Sequence, residues 1–152
     1  MHAPPSRQGA ELIGALTRVA GEVEIKILTN ALVDGLYADP SGRVQGLHIT
    51  RPDGASEAIG CDAMVLACNG FGGNPDLVSH YIPEMSEANY FGHPGNRGDA
   101  LLWGQELGAR TRDLGSFQGH GSVAHPHGIL ISWALMIEGG IQVNAGGHRF
   151  CN

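Results

Sequence analysis

The chain has 152 residues, a formal net charge of −6 at pH 7 and 24 glycines. Its length suits one domain or part of one, the lack of a basic stripe argues against nucleic-acid binding, and its apolar runs are too short to span a membrane. Glycine is about twice as frequent as in an average protein. Because the glycines separate apolar runs, they indicate an α/β protein with many turns and close backbone approaches.

The cysteines indicate the compartment. Cys61, Cys68 and Cys151 have no C-x-x-C spacing, and an odd number without a disulfide framework predicts a reducing environment. The N-terminus has no positively charged region followed by the apolar core of a signal peptide. We therefore expect a cytoplasmic protein.

The first sixty residues predict one helix followed by antiparallel strands. Leu12, Leu16 and Val19 recur at helical spacing, and Gly21 is expected to end the helix. Strand segments then follow in chain order at 23–28, 31–38, 43–50 and 57–60. The turns Asp-Pro-Ser-Gly-Arg and Pro-Asp-Gly-Ala-Ser between the last three predict a hairpin that extends into a meander.

An apolar strand that runs into a glycine cluster opens the second half of the chain. The segment AMVLA at 63–67 has no polar alternation, which favours a strand covered on both faces in a parallel sheet. The glycines at 70–73 indicate that a large group approaches the backbone there. Cys68 could act as a nucleophile, and a buried structural thiol is the favoured alternative.

Two helices and a change of composition complete the predicted elements. Asn74 can cap a helix with Pro75 at its first position, and Asp99 opens a second helix that stops at Gly108. Near residue 116 the composition changes to glycine and histidine, which makes this position the best candidate for a domain boundary. An apolar segment and a strand–turn–strand start follow, at 131–136 and 141–150.

Two glycine motifs have both a structural and a functional interpretation. Residues 119–124 match G-x-G-x-x-A, but the dinucleotide fingerprint needs a preceding strand and a following helix, and Pro126 obstructs such a helix. Gly98 and Asp99 at a helix start either form a simple cap or direct the helix N-terminus towards a cofactor.

The histidine array has three interpretations. His120, His125 and His127 could bind zinc, but no Cys, Asp or Glu lies close enough in sequence to complete a typical site. We therefore predict no metal. A buried, hydrogen-bonded histidine is one alternative, and a histidine that donates to an anionic or carbonyl substrate is the other.

Four segments resemble, in order and spacing, the motifs of one flavoprotein family. They are MVLACNGFGGN at 64–74, GHPGNRGDALLWGQELGA at 92–109, FQGHGSVAHPHG at 117–128 and EGGIQVNAGGHRF at 138–150. Together they resemble the flavoprotein subunit of the fumarate reductase and succinate dehydrogenase family, whose cofactor is FAD. The resemblance implies part of a FAD-binding Rossmann-like α/β domain over residues 1–116, with a β-hairpin or meander plus a parallel strand. It also implies the start of an α+β capping domain over residues 117–152.

The same resemblance implies individual site residues. The implied cofactor-binding residues are Val33, Ala67, Asn69, Gly70, Gly98 and Asp99. The implied active-site residues are Gln118, His120 and Ser132, with His120 donating a hydrogen bond to a substrate carboxylate or carbonyl. Asn69 replaces a family glycine, and because Asn tolerates positive φ we expect the turn to be kept.

The implied activity is hydride transfer between FAD and a CH–CH bond of a small-molecule substrate. The fumarate reductase group places a Glu and an Arg near Ser132, where this sequence has Trp133 and Met136. A second substrate carboxylate would lose its partner there. A larger or less charged substrate than a small dicarboxylate is therefore expected.

The family's G-x-G-x-x-G unit would precede residue 1, and its proton-donating Arg would follow Asn152. We therefore expect a fragment that binds FAD weakly or not at all by itself, with exposed surfaces that favour self-association or a complementing chain. The alternative is a non-catalytic truncated module, or the remnant of a broken reading frame, that needs a complementing chain to bind FAD.

Overall fold

The computed structural model describes residues 9–120, 122–124 and 126–150. The chain divides into two compact units, one that ends at Val65 and another that begins at Leu66. The domain boundary expected near residue 116 concerns the longer family fold and stays a prediction.

The first unit contains one helix and a three-stranded sheet. Helix α1 spans Gly9–Glu22, and strands β1, β2 and β3 span Leu32–Ala38, Val44–Thr50 and Ser56–Gly60. The strands are antiparallel in the order β1-β2-β3, which confirms the predicted meander. Because β2 is the central strand, it holds the best buried side chain of the unit, Ile49, which is 1% exposed.

The hairpin between β1 and β2 is closed by Asp39 and Gly42. One carboxylate oxygen of Asp39 accepts hydrogen bonds from the backbone N–H of Ser41 (2.9 Å) and of Arg43 (3.1 Å). Gly42 has a φ of 83°, a conformation that glycine adopts without steric cost. The turn expected at this position is therefore confirmed.

The strand expected at 23–28 is wrong, because α1 ends in a Schellman motif that uses the backbone of this segment. Glu24 has a φ of 58°, and its N–H donates to the carbonyl of Gly21 (3.2 Å). The N–H of Ile25 donates to the carbonyl of Ala20 (2.8 Å). These two bonds are the 5→2 and 6→1 pairs of a helix C-terminus, here with glutamate in the left-handed position. The helix therefore extends one residue past Gly21.

The parallel strand expected at 63–67 is not formed either. This segment pairs with no strand in the described part of the chain, and Val65 is 88% exposed. A strand of a parallel sheet needs a neighbour that runs in the same direction. All strand pairs among the described residues are antiparallel, so the apolar run has no neighbour of the required kind.

The second unit consists of short elements joined by long loops. Its elements are α2 (Pro75–Tyr81), a 3₁₀ turn (Pro83–Met85), α3 (Asp99–Glu106), β4 (Val123–Ala124), β5 (Ile129–Leu130) and α4 (Trp133–Ile137). Strands β4 and β5 pair antiparallel, and a bridge joins Val143 to Arg149 as expected for the segment 141–150. The predicted helices after Asn74 and at Asp99 are confirmed.

Many apolar side chains of the first unit are exposed. On α1 and the segment after it, eight large apolar residues are each between 45% and 61% exposed: Leu12, Ile13, Leu16, Val19, Val23, Ile25, Ile27 and Leu28. Together these side chains form a large exposed apolar surface on consecutive elements. None of the helices in the described part of the chain has the length and apolar run that crossing a bilayer requires.

Candidate functional site

The glycine turn after residue 67 lies directly against the start of α3. The backbone N–H of Gly98 donates to the carbonyl of Gly70 (3.1 Å), and the N–H of Gly73 donates to the carbonyl of Asn96 (2.8 Å). The side-chain amide of Asn74 donates to the carbonyl of Arg97 (3.0 Å). Two segments that are far apart in sequence are thus held together by their backbones, and the structure brings Asn69, Gly70, Gly98 and Asp99 into one place.

The backbone of this turn requires the residue types found there. Asn69 has a φ of 65°, which Asn adopts more readily than most other residues, so the expectation that the turn is kept is confirmed. Gly98 has a φ of 85°, and a Cβ atom at this position would lie 2.5 Å from Leu77 Cδ1 and 2.8 Å from Phe71 Cβ. A Cβ atom at Gly70, in contrast, would have no neighbour within 4 Å.

The start of α3 has no side-chain cap. Gly98 occupies the N-cap position without a side-chain hydrogen bond, and Asp99 lies near the guanidinium of Arg97 at 3.8 Å. Gly98 therefore bears out the interpretation as a simple cap, although as a glycine it supplies no side-chain cap. A helix N-terminus without such a cap presents its first amides and its positive dipole end to an acceptor group.

The remaining implied cofactor residues are Val33, which lies in the first unit, and Ala67. Val33 is a partly buried residue of β1, paired with Ile49, and Ala67 is exposed just before the turn. Their cofactor contacts stay predictions. Cys68 is exposed, so the interpretation as a buried structural thiol is wrong: the segment that precedes it is covered by no sheet.

His120 is the best defined of the implied active-site residues. Its Nδ1 accepts a hydrogen bond from the backbone N–H of Ser122 (3.3 Å), and its ring packs against Trp133 with 5.7 Å between ring centroids. Its Nε2 is buried and has no hydrogen-bond partner among the described residues. A buried donor left without an acceptor costs about 1–3 kcal/mol, so this atom is suited to receive a ligand acceptor.

Gln118 and Ser132 are less constrained. Both are exposed, and Ser132 is the N-cap of α4 without a side-chain hydrogen bond. Ser132 directly precedes Trp133, whose ring contacts His120. Their roles stay predictions.

Ser122 and Gln142 position the His120 loop, and sequence reasoning missed both. The side-chain amide of Gln142 donates a short hydrogen bond to Ser122 Oγ, and the N–H of Ile131 donates to the Ser122 carbonyl (2.9 Å). No spacing rule links a serine to a glutamine twenty residues later, so the sequence offered no signal for this pair.

The other motifs give no site among the described residues. Gly121 and His125 lie outside them, so neither the full G-x-G-x-x-A match nor the full histidine array has a described geometry. Residues 123–124 form strand β4 rather than the start of a helix. Within the ranges 9–120, 122–124 and 126–150, no three metal-ligating side chains cluster.

Comparison with known proteins decides the family. The profile of the FAD binding domain family matches residues 1–152. The chain belongs to this family. It is 30% identical over 142 residues to the probable fumarate reductase Ifc3 of Shewanella frigidimarina. This match covers 93% of this chain and 24% of that protein. It is also 30% identical to the urocanate reductase of Eggerthella lenta, over 97% of this chain and 25% of that protein.

A solved structure confirms the fold. An open conformation of a flavocytochrome c3 fumarate reductase superposes with a TM-score of 0.85 and 30% identity, over 99% of this chain and 27% of the other. The chain thus spans about a quarter of the length of these relatives. The family resemblance, the mixed α and β fold of a FAD-binding domain, and FAD as the cofactor of the family are confirmed.

The residues at the turn fit FAD. The space beside Gly70 and the first amides of α3, which no side chain caps, allow a large planar group with hydrogen-bond acceptors to approach the backbone. No charged side chain intrudes at Asn69 or Gly70 themselves. These features suit the positioning of a flavin, whose redox chemistry is its own.

Proposed function

We propose that this chain forms part of a FAD-dependent oxidoreductase that transfers hydride between the flavin and a CH–CH bond of a small organic substrate. The observation that carries the proposal is the backbone contact between Gly70 and Gly98 (3.1 Å) in a chain of the FAD binding domain family. This contact joins two separate segments at a pair of glycines, of which Gly70 has open space beside it. The named relatives, a probable fumarate reductase and a urocanate reductase, support the class of reaction.

The chain's own residues would bind the cofactor and orient the substrate. Asn69, Gly70 and the first amides of α3 would hold the cofactor, and Val33, Ala67 and Asp99 would contribute further contacts. His120 would donate its Nε2–H to a substrate carbonyl or carboxylate, with Gln118 and Ser132 beside it. Bound FAD supplies the hydride chemistry, whereas the polypeptide supplies position and hydrogen-bond donors.

A second candidate is a non-catalytic module that binds FAD after a complementing chain has joined it. The exposed apolar residues on α1 and the segment 23–28 favour this candidate, since each large aliphatic side chain gains about 1.5–3 kcal/mol on full burial. Self-association through the same surface is the competing outcome.

FAD uptake tests the proposal. In a chimera, this chain would replace the matching quarter of the probable fumarate reductase Ifc3, and bound FAD would be measured by its absorbance spectrum. We expect about one FAD per chimera and little for the chain alone. A chimera that folds but holds no FAD would contradict the proposal, and near-stoichiometric FAD on the chain alone would contradict the need for a partner.

The substitution Gly70→Ala tests the turn itself. Nothing lies within 4 Å of the added methyl group, so the fold should be unchanged. If a flavin approaches here, its affinity should fall about tenfold or more, the equivalent of ~1.4 kcal/mol. The matched control is Gly60→Ala on edge strand β3, where a Cβ atom meets Gln45 O at an ordinary 3.8 Å. Equal FAD affinity in both variants would remove Gly70 from the site.

A further inference from the structure

The ring of Tyr90 lies across two glycines of the second unit. A Cβ atom at Gly72 would overlap Tyr90 Cε2 and lie 2.9 Å from Cζ, and a Cβ atom at Gly92 would overlap the Tyr90 hydroxyl group. Neither glycine adopts a left-handed φ, so backbone conformation does not require glycine at either position. What excludes a larger side chain is the aromatic ring, for which the two glycines form a slot.

The hydroxyl group of Tyr90 connects this ring to the segment that leads into α3. Tyr90 Oη accepts a hydrogen bond from the side-chain amide of Asn96 (2.7 Å). The backbone carbonyl of the same Asn96 accepts the N–H of Gly73 (2.8 Å). One tyrosine therefore fixes two consecutive residues of the glycine turn, Gly72 by ring contact and Gly73 through Asn96.

Burial does not account for this tight fit, as the neighbouring Phe91 shows. Tyr90 is 45% exposed and Phe91 is 50% exposed. A Cβ atom at Gly128, in the turn between β4 and β5, would lie 3.6 Å from Phe91 Cδ1, which is an ordinary contact distance. Two adjacent rings of similar exposure thus differ: Tyr90 fits closely against the glycine turn, whereas Phe91 packs loosely on a later turn.

We propose that Tyr90 is a positioning residue for the cofactor turn, and that its ring and hydroxyl group hold Gly72 and Gly73 in the shape that receives FAD. The proposal rests on the proposed function for the identity of the cofactor. A preformed surface avoids the free-energy cost of ordering a loop on binding. Loss of the tyrosine should therefore weaken FAD binding while the rest of the fold is kept.

Hydrogen exchange of the Gly73 amide in the full chain tests the positioning role without a cofactor. Tyr90→Ala should speed this exchange about tenfold, because Asn96 loses the partner that holds the Gly73 acceptor in place. Tyr90→Phe keeps the ring and should give a smaller increase of about threefold. Phe91→Ala is the matched control and should leave Gly73 unchanged.

Gly72→Ala provides an independent variant. In the unsubstituted chain its methyl group must displace the Tyr90 ring, so Gly73 exchange should again rise about tenfold. In the Tyr90→Ala background the same methyl group enters the space that the ring has left and should add no further increase. Additive effects of the two substitutions would overturn the proposal, since independent sites are additive.

The amide spectrum distinguishes positioning from general support of the fold. Each variant should keep the dispersed signals of α2 and α3, because Tyr90 is partly exposed and its contacts are confined to the loops. Loss of these signals in Tyr90→Ala would overturn the positioning role, since the tyrosine would then stabilise the whole unit.

FAD affinity in the chimera extends the test to the cofactor. Tyr90→Ala and Gly72→Ala should each raise the Kd for FAD about tenfold, and the double variant should bind no more weakly than Tyr90→Ala alone. Faster Gly73 exchange with unchanged FAD affinity, or equal losses in Tyr90→Ala and Phe91→Ala, would overturn the proposal. A chimera that folds without FAD would contradict the proposed function alone, and Gly73 exchange would then decide the role of Tyr90.

Discussion

Different kinds of interaction stabilise the interior of each of the two units of the chain. In the unit that ends at Val65, an antiparallel ladder is reinforced by side chains that bridge its strands. In the unit that begins at Leu66, loops are joined through backbone groups, such as Gly98 to Gly70 and Gly73 to Asn96. The candidate cofactor turn therefore depends on glycine conformation and on few side chains, whereas the sheet depends on strand packing and polar pairs.

The polar pairs of the sheet are local and specific. The register between β1 and β2 shifts at Asp34. The carboxylate of Asp34 accepts a hydrogen bond from Thr50 Oγ1 (2.6 Å) and forms a second hydrogen bond with His48 Nδ1. Arg51 binds both carboxylate oxygens of Glu57, at 2.6 Å and 3.2 Å. These contacts join β2 to its neighbours on both sides, so perturbing them tests the first unit separately from the second.

The largest effect is expected from Gly46→Ala in the first unit. Gly46 is a buried residue of central strand β2, and a Cβ atom there would lie 2.5 Å from Ile59 O and 3.2 Å from Gly60 Cα. Because these are backbone atoms, the strands must separate, and we expect a loss of about 2–3 kcal/mol in the free energy of unfolding of the sheet. Urea titration followed by amide signals of β2 measures it.

Gly60→Ala serves as the control for this prediction. It adds the same methyl group to the facing strand, where the nearest atom lies 3.8 Å away, so it should change stability little. If the two variants were equally stable, crowding between β2 and β3 would not limit the sheet. A parallel loss of the second unit's signals in Gly46→Ala would contradict the separate stabilisation of the two units.

A smaller effect is expected from Asn74→Ala in the second unit. The Asn74 side chain caps α2 by accepting from Leu77 N–H (3.2 Å) and joins the two loops by donating to Arg97 O (3.0 Å). Loss of a cap and of one loop hydrogen bond together should cost about 2 kcal/mol. Tryptophan fluorescence follows this loss, since Trp103 and Trp133 both lie in the second unit.

Asn74→Asp divides the effect into its two parts. Aspartate keeps the cap acceptor and removes the amide donor to Arg97, so about half of the loss should remain. Stability equal to the unsubstituted chain would show that the loop bond contributes nothing. Stability as low as that of Asn74→Ala would assign the whole effect to the loop.

The sequence predicted those features whose causes are local. Asn74 followed by Pro75 predicts a helix start by residue type alone. The turn residues that begin at Asp39 predict the hairpin in the same way. The end of α1 was missed because Glu24 adopts the left-handed conformation that glycine usually signals. The parallel strand predicted at 63–67 does not form, because its residues favour a strand but pairing depends on a neighbour, which local sequence does not encode.

For the candidate site, too, the sequence predicted one part and not the rest. Family motifs brought Asn69, Gly70 and Gly98 into one set, and the backbone contact between the two glycines supports that grouping. The orphaned Nε2 of His120 and its aromatic neighbour Trp133 depend on tertiary packing across short elements. Such contacts follow from three-dimensional geometry and leave no spacing signal.

The smallest predicted effect is a loss of sheet stability in acid. Hydrogen bonds, first from Thr50 and then from His48, hold the pKa of the Asp34 carboxyl below its ordinary value, and Arg51 does the same for the pKa of Glu57. A carboxyl whose pKa is lower in the folded state stabilises the fold above its ordinary pKa. That contribution is lost as the pH falls below about 4.

Amide exchange in β2 and α3, compared between pH 5 and pH 3, measures this dependence in both units at once. We expect protection in β2 to fall more than protection in α3, and Asp34→Asn to reduce the acid response of β2 by removing one titrating group. The change should be modest because these carboxylates are exposed to solvent, which screens their pairs. An equal acid response in β2 and α3, or an unchanged response in Asp34→Asn, would mean that the carboxylate pairs do not set the difference between the sheet and the loop-built unit. Backbone packing alone would then account for it.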